Sequence, residues 1–248
     1  MRKIFFLVFV AFSIVLSPLV KALTITNETL NYQVVYHWGV VWKHAGDISL
    51  TTTKTTNGYS SRLTGKTRSW ADKIYTVRDT LKCTMNSNFR PIKYEKMTHE
   101  NSYYARDIVS FTNYGASTSA QCTRYRKNKP TANITLNANG VAYDMLSVFF
   151  MLRNIDFAKM KSNNTYSTWI FSGKEKEILT IKYVGTEHIQ LRDKSRHQAY
   201  HIKLKFTQDN GKKSSDDIDA YISCTAQRIP LMVVGKLPVG EIKCYYAK

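Results

Sequence analysis

Short segments in which apolar and polar residues alternate occupy most of the sequence, and residues that favour turns separate them. From Leu30 to Trp38 every second residue is aliphatic or aromatic, which is the pattern of a strand with one buried face. Asn57-Gly58 lies between two such segments and is a strong hairpin signal. The repetition of this pattern predicts an all-β, predominantly antiparallel fold, either a curved sheet or a barrel-like single domain.

One stretch near the middle of the chain departs from this alternation. Residues 141–156 read VAYDMLSVFFMLRNID, and on a helix these side chains would be apolar on nearly every face. We therefore predict one central buried helix over about residues 141–154. The turn signal Asn139-Gly140 precedes it, and the side chain of Asp144 or Asn139 could accept hydrogen bonds from the unpaired N–H groups of its first turn.

The first 22 residues have the composition of a secretory signal peptide. Arg2 and Lys3 precede an apolar run, and the segment ends at Ala22, so we expect cleavage there and a single β-rich domain over residues 23–248. A retained membrane anchor is the alternative, but polar residues and a proline interrupt the apolar run, and no later segment is a membrane-span candidate. The residue directly after the cleavage point is not a cysteine, so we expect a periplasmic, cell-surface or secreted protein without a lipid anchor.

The chain is strongly basic, with a formal net charge of +18. Loss of Arg2, Lys3 and Lys21 with the signal peptide would leave +15. Such a surplus favours anionic partners, and the alternative is a general basicity without a specific partner. Because the protein is expected to be exported, an envelope lipid or an anionic glycan is favoured over nucleic acid.

Four cysteines would enter an oxidising compartment, where an even number favours disulfides. Four cysteines allow three pairings. We favour Cys224–Cys244, because these residues flank an apparent turn between two antiparallel strands, and Cys83–Cys122 then follows by elimination. Free buried thiols are the alternative, and the spacings match no zinc motif.

The sequence contains no local signature of catalysis, metal binding or phosphate binding. His197 and His201 are four residues apart, but they lie in a strand-like segment and are interpreted as ordinary surface histidines. We therefore predict no metal, no cofactor and no enzymatic activity. A hydrolase with two carboxylates distant in sequence remains an alternative, and for Asp144 a capping role is favoured over catalysis.

Three stretches together resemble the domain of unknown function 3108 family of exported bacterial proteins. They are LNYQVVYHWG followed by Ala45-Gly46, the central YDMLSVFFMLR, and RIPL followed by LPVGEI. The resemblance implies an antiparallel, barrel-like fold curled about the central helix and implies no activity. Within it, Asp144 and Ser147 are expected to order the helix start, and Arg153 to pair with a carboxylate or a carbonyl. The motif positions are Tyr143, Asp144, Ser147, Arg153, Arg228, Pro230 and Gly240.

The leading hypothesis from the sequence is a non-enzymatic binding protein of the cell envelope. Tyrosine-rich strands suit a concave sheet that holds a ligand as well as an ordinary core. A structural or assembly partner of another envelope protein is the second hypothesis, and a polysaccharide hydrolase is the third.

Overall fold

The computed structural model describes residues 23, 25–212, 217–237 and 239–248. The predicted signal peptide, residues 1–22, lies outside them. The first half of the chain contains the strands β1 (Glu28–Trp38), β2 (Val41–Thr55), β3 (Gly58–Thr67), β4 (Arg78–Asn86), β5 (Pro91–Glu100), β6 (Tyr103–Tyr114), β7 (Ser117–Arg126) and β8 (Ala132–Ala138), with the short helix α1 (Ser69–Asp72) between β3 and β4.

The second half begins with the two-residue strand β9 (Ala142–Tyr143) and helix α2 (Ser147–Asn154), followed by a 3-10 helix (Phe157–Lys159). The remaining strands are β10 (Thr165–Phe171), β11 (Lys176–Gln190), β12 (Arg196–Gln208), β13 (Ile218–Ser223), β14 (Pro230–Lys236) and β15 (Glu241–Ala247). The fifteen strands of the described residues form one sheet, in the order β8-β7-β6-β5-β4-β3-β2-β1-β15-β14-β13-β12-β11-β10-β9. The all-β, barrel-like fold predicted from the sequence is confirmed.

Two antiparallel meanders, β1 to β8 and β10 to β15, meet where the first strand pairs with the last. Tyr32 lies opposite Tyr246 in this pairing. The sheet curls so that its two edges approach each other: the Thr118 hydroxyl of β7 donates to the carbonyl of Gly140 and accepts from the N–H of Ala142, at 3.0 and 3.1 Å. The curled sheet therefore encloses an interior, in agreement with the alternation of buried and exposed residues along its strands.

Helix α2 lies inside one end of this curled sheet. Phe150 is fully buried, and its ring stacks at 6.0 Å on that of Phe89, in the turn between β4 and β5. In a meander alternate turns lie at the same end, so the β2–β3, β4–β5 and β13–β14 turns share what we call the helix end. The β1–β2 turn, the β3–β4 connection with α1 and the β14–β15 turn lie at the far end.

The central helix is shorter than predicted, because within the predicted range 141–154 only Ser147–Asn154 is α-helical. Ala142 and Tyr143 instead pair in parallel with Trp169 and Ile170 of β10. These residues satisfy backbone groups at the edge of the sheet, which a helical turn would leave unpaired. Among the described residues no helix is long and apolar enough to span a bilayer.

The predicted disulfides were wrong, because all four cysteines are free thiols. Cys83 lies on β4 and Cys122 on β7, with two strands between them. Three strand spacings amount to ~14 Å, about twice the largest Cα separation that a disulfide spans. Strand β14 likewise separates Cys244 from β13 and from Cys224, which follows it.

Candidate ligand-binding site

The residues singled out around the central helix are brought together, and they fix the helix to the sheet. Asp144 is completely buried, and its Oδ1 accepts hydrogen bonds from the N–H groups of Leu146 and Ser147, at 2.7 and 2.8 Å. The Ser147 hydroxyl in return accepts from the N–H of Asp144 at 2.9 Å. This reciprocal arrangement satisfies N–H groups that a helix start leaves unpaired.

The other end of α2 is held by two arginines. Arg153 is 1% exposed; its guanidinium forms a bidentate pair with the Glu28 carboxylate of β1 and donates to the Gln227 carbonyl at 2.9 Å. Arg228 donates to the carbonyls of Arg153 and Ile155 at the helix C-terminus, at 3.2 and 3.3 Å. These contacts link the helix to strand β1 and to the β13–β14 turn.

Burial raises the pKa values of titratable groups around the start of helix α2. The Cys83 thiol donates to Asp144 Oδ2 at 3.1 Å, and burial together with the neighbouring carboxylate raises its pKa well above the ordinary value. Burial likewise raises the pKa of Tyr143, on β9, to about 12. Cys83 is therefore a protonated hydrogen-bond donor here, and a thiol in that state is a poor nucleophile.

Burial also raises the pKa of Asp144 above its ordinary value of 3.8. As pH rises from that value through the raised pKa, the unfolded state releases its proton first, so the carboxyl lowers the stability of the fold progressively. Asp144→Asn does not ionise at this position. We expect the unfolding free energy of the native protein, minus that of Asp144→Asn, to be smaller at about pH 7 than at about pH 4 in urea titrations. A difference that grows with pH would contradict this sign.

The remaining motif residues and histidines lie elsewhere. Pro230 is buried at the start of β14. Gly240 has a φ of +79°, and a Cβ there would lie 2.3 Å from the His37 carbonyl oxygen, so glycine holds the β14–β15 turn against β1. His201 contacts Glu187 and Asp219, whereas His197 contacts Ser195. In the part of the chain that the structure describes, no group of His, Cys, Asp or Glu is arranged to hold a metal ion.

A cavity of about 680 Å³ opens at the far end of the curled sheet. Its wall is formed by inward-facing side chains of β1 to β4 and β15 that lie beyond the core around α2. Aliphatic and aromatic side chains form most of this wall, and the strands contribute Val34, Tyr36, Ile48, Leu63, Leu81 and Ile242. We call this space the apolar cavity.

The segment around α1 closes one side of the apolar cavity. It contributes Trp70, Ala71 and Ile74 to the wall. The Trp70 indole N–H donates to the His44 carbonyl at 2.7 Å, which holds the segment against β2. The Lys43 ammonium lies 4.1 Å from the centre of the Trp70 ring, a cation–π contact.

Two of the polar groups in the cavity wall are already engaged within the protein. The Tyr36 hydroxyl donates to the Val239 carbonyl at 3.1 Å. The Asp79 carboxylate accepts from the His99 N–H at 2.9 Å, and burial raises the pKa of this carboxyl. The cavity therefore presents mainly apolar surface to any occupant.

Comparison with known proteins agrees with this architecture. Residues 31–246 match a family described as "Protein of unknown function (DUF3108)". The chain belongs to the DUF3108 family. A crystal structure of a beta-barrel-like protein of domain of unknown function DUF1849 from Brucella abortus matches this DUF3108 protein with a TM-score of 0.60 and 9% sequence identity, over 90% of this chain and 96% of that chain. At that identity the similarity shows the fold alone. No curated protein matches the sequence.

Sequence reasoning missed most of the apolar cavity. It placed Val34 and Tyr36 on a buried strand face and Ile74 at the start of a later strand, and it gave no role to Trp70. The sequence signal there is weak, because Ser69–Asp72 is a helical turn of only four residues between two long strands. Such a short segment has no periodicity of its own, so only the fold shows which side of the sheet it covers.

Proposed function

We propose that this DUF3108 protein binds an amphipathic lipid without catalysing a reaction, with the acyl chain in the apolar cavity and an anionic headgroup at its mouth. The observation that carries the proposal is the cavity itself, about 680 Å³ in volume and lined mainly by aliphatic and aromatic side chains. Its volume lies within the ~300–1,000 Å³ typical of small-molecule sites.

The composition of the wall favours a lipid over a glycan. A sugar would need donors and acceptors free to replace its bonds to water, whereas the polar groups of Tyr36 and Asp79 are already engaged. An acyl chain needs only apolar contact. Lys43, beside Trp70, supplies a positive charge near the cavity for an anionic headgroup.

The proposal includes export to the periplasm or cell surface. Its support is the signal-peptide pattern of residues 1–22 and the basic composition of the chain. An exported protein of this kind would meet lipids of the cell envelope.

A cavity-filling substitution tests the proposed site. Gly65 lines the apolar cavity, and a Cβ there would meet only the Ile48 side chain, at 3.8 Å. Gly65→Phe should occupy the cavity without backbone strain. We expect dansyl-undecanoic acid to bind the native protein saturably, with a rise in fluorescence, and Gly65→Phe to weaken that binding at least about tenfold because it fills part of a site of limited volume.

The matched control is Gly185→Phe, at a strand glycine with no neighbouring atom within 4 Å of its Cβ position. Thermal unfolding of both variants checks that each is folded. Retained binding by Gly185→Phe and weakened binding by Gly65→Phe supports the site. Equal affinity for the native protein and Gly65→Phe, or no saturable binding to the native protein, would contradict it.

A further inference from the structure

Exposed large hydrophobic side chains are concentrated at the far end of the molecule. Val40, at the tip of the β1–β2 turn, is 96% exposed. Among such side chains in the described ranges, only Ile92, Met145 and Tyr166 lie toward the helix end. Clustered exposed apolar side chains of this kind mark an interaction surface, whereas scattered single ones need no explanation.

Two neighbouring turns bring the most exposed of these side chains together. Gly240 sits against the His37 carbonyl and the Trp38 Cβ, and the Tyr36 hydroxyl bonds the Val239 carbonyl. These contacts fix the β14–β15 turn beside the β1–β2 turn. We call the resulting surface the apolar rim, and its residues are Trp38, Val40, Val41, Trp42, Leu237 and Val239.

Basic side chains accompany the rim, and the acids beside it are neutralised. Lys43, Lys73 and Lys236 are exposed and form no ion pair with any described residue. By contrast, Asp47 pairs with Arg68, Asp72 with Arg78, and Glu241 with Lys243. The charge that these ion pairs leave uncompensated beside the rim is therefore positive.

We propose that the apolar rim docks on the surface of an anionic lipid bilayer. Tryptophan is enriched at membrane interfaces because its ring is apolar and its N–H is polar. Aliphatic side chains beside it enter the boundary between headgroups and acyl chains, while lysines remain among anionic headgroups. Charge complementarity thus points to an anionic bilayer as the partner. The apolar side chains of the rim would insert into it, and the lysines would be attracted to its negatively charged headgroups.

Docking would place the mouth of the apolar cavity at the bilayer, since Leu237 belongs to both the rim and the cavity wall. The docking surface does not depend on whether the cavity holds a ligand. Gly65→Phe should therefore leave docking unchanged even though it blocks the cavity. Failure of the ligand site and failure of the docking surface can thus be distinguished.

Co-sedimentation of the purified protein with lipid vesicles tests the proposal. We expect binding to vesicles of phosphatidylcholine mixed with phosphatidylglycerol, weaker binding to phosphatidylcholine alone, and a loss of affinity at high salt. Val40→Asp should lower the affinity at least about tenfold, because it places a negative charge at the inserted tip. The matched control Ile92→Asp adds the same charge at an exposed apolar site near the helix end and should bind as the native protein does.

The lysines are tested in the same assay. Lys73→Gln combined with Lys236→Gln should weaken binding about 25-fold, at about fivefold for each cation near an anionic surface. Lys161→Gln, an exposed lysine near the helix end, should have no effect. Absence of vesicle binding, equal binding to neutral and anionic vesicles, or native affinity of Val40→Asp would overturn the proposal. So would a stable protein complex formed through the rim that excludes vesicles.

Discussion

Arg153→Met is expected to lower the free energy of unfolding by about 3 kcal/mol, the lower part of the range for breaking a buried ion pair. The guanidinium is almost completely buried and is the bidentate partner of Glu28. Methionine keeps much of the apolar volume but leaves the Glu28 carboxylate unpaired and the Gln227 carbonyl without its donor. Because the Glu28 side chain keeps some solvent contact, the cost stays below that of a fully enclosed charge. Urea unfolding at neutral pH measures it.

Two further variants separate the ion pair from the loss of packing. Glu28→Gln removes the negative charge of the pair. A double-mutant cycle of Arg153→Met with Glu28→Gln should therefore show a coupling free energy between the two residues. Arg62→Met makes the same substitution at an exposed arginine of β3 and should change stability by less than about 0.5 kcal/mol. A loss below about 1 kcal/mol for Arg153→Met would show that the pair contributes no more than a surface salt bridge.

Phe150→Ala is expected to cost about 3–5 kcal/mol, the usual effect of deleting a buried aromatic ring. This ring has no exposed surface and stacks on Phe89 of the β4–β5 turn. Its removal takes away apolar burial and leaves a cavity that the surrounding strands can only partly fill. The melting temperature and the urea midpoint should both fall.

The neighbouring residue is a matched control for this substitution. Phe149→Ala removes the same aromatic ring from the same helix, but the Phe149 side chain is only partly buried. Phe149→Ala should therefore cost clearly less than Phe150→Ala. Equal costs would mean that helix propensity or the unfolded state, and not enclosure of the ring, determines the effect.

The strand pattern was readable from the sequence because a sheet with one buried face forces alternation along each strand. Leu30 and Tyr32 are buried as this pattern requires. Strand β8 (Ala132–Ala138) was missed, because its inward residues are few and the segment is rich in small and polar side chains. Alternation is a weak signal where little apolar surface is buried.

The errors share a cause, since each depended on which segments are neighbours in space. The helix was extended to Val141 because its apolar residues fit a helix as well as a strand, and the pairing of Ala142 and Tyr143 with β10 is not local information. The disulfides were wrong because Cys224 and Cys244 were assigned to neighbouring strands, whereas β14 intervenes, and Cys83–Cys122 had followed from that pairing by elimination. The apolar cavity was missed because its wall is assembled from strands distant in the sequence.

The pairing of β1 with β15 also constrains the order in which the protein can fold. Residues 31–37 lie opposite residues 241–247, so one side of the first strand has no partner until almost the entire chain is available. The first meander can form from local hairpins, whereas joining it to the second requires closure of a very long loop. An unpaired strand edge favours association with other chains, so the time between the emergence of β1 and the completion of β15 is the period in which this protein is most exposed to aggregation.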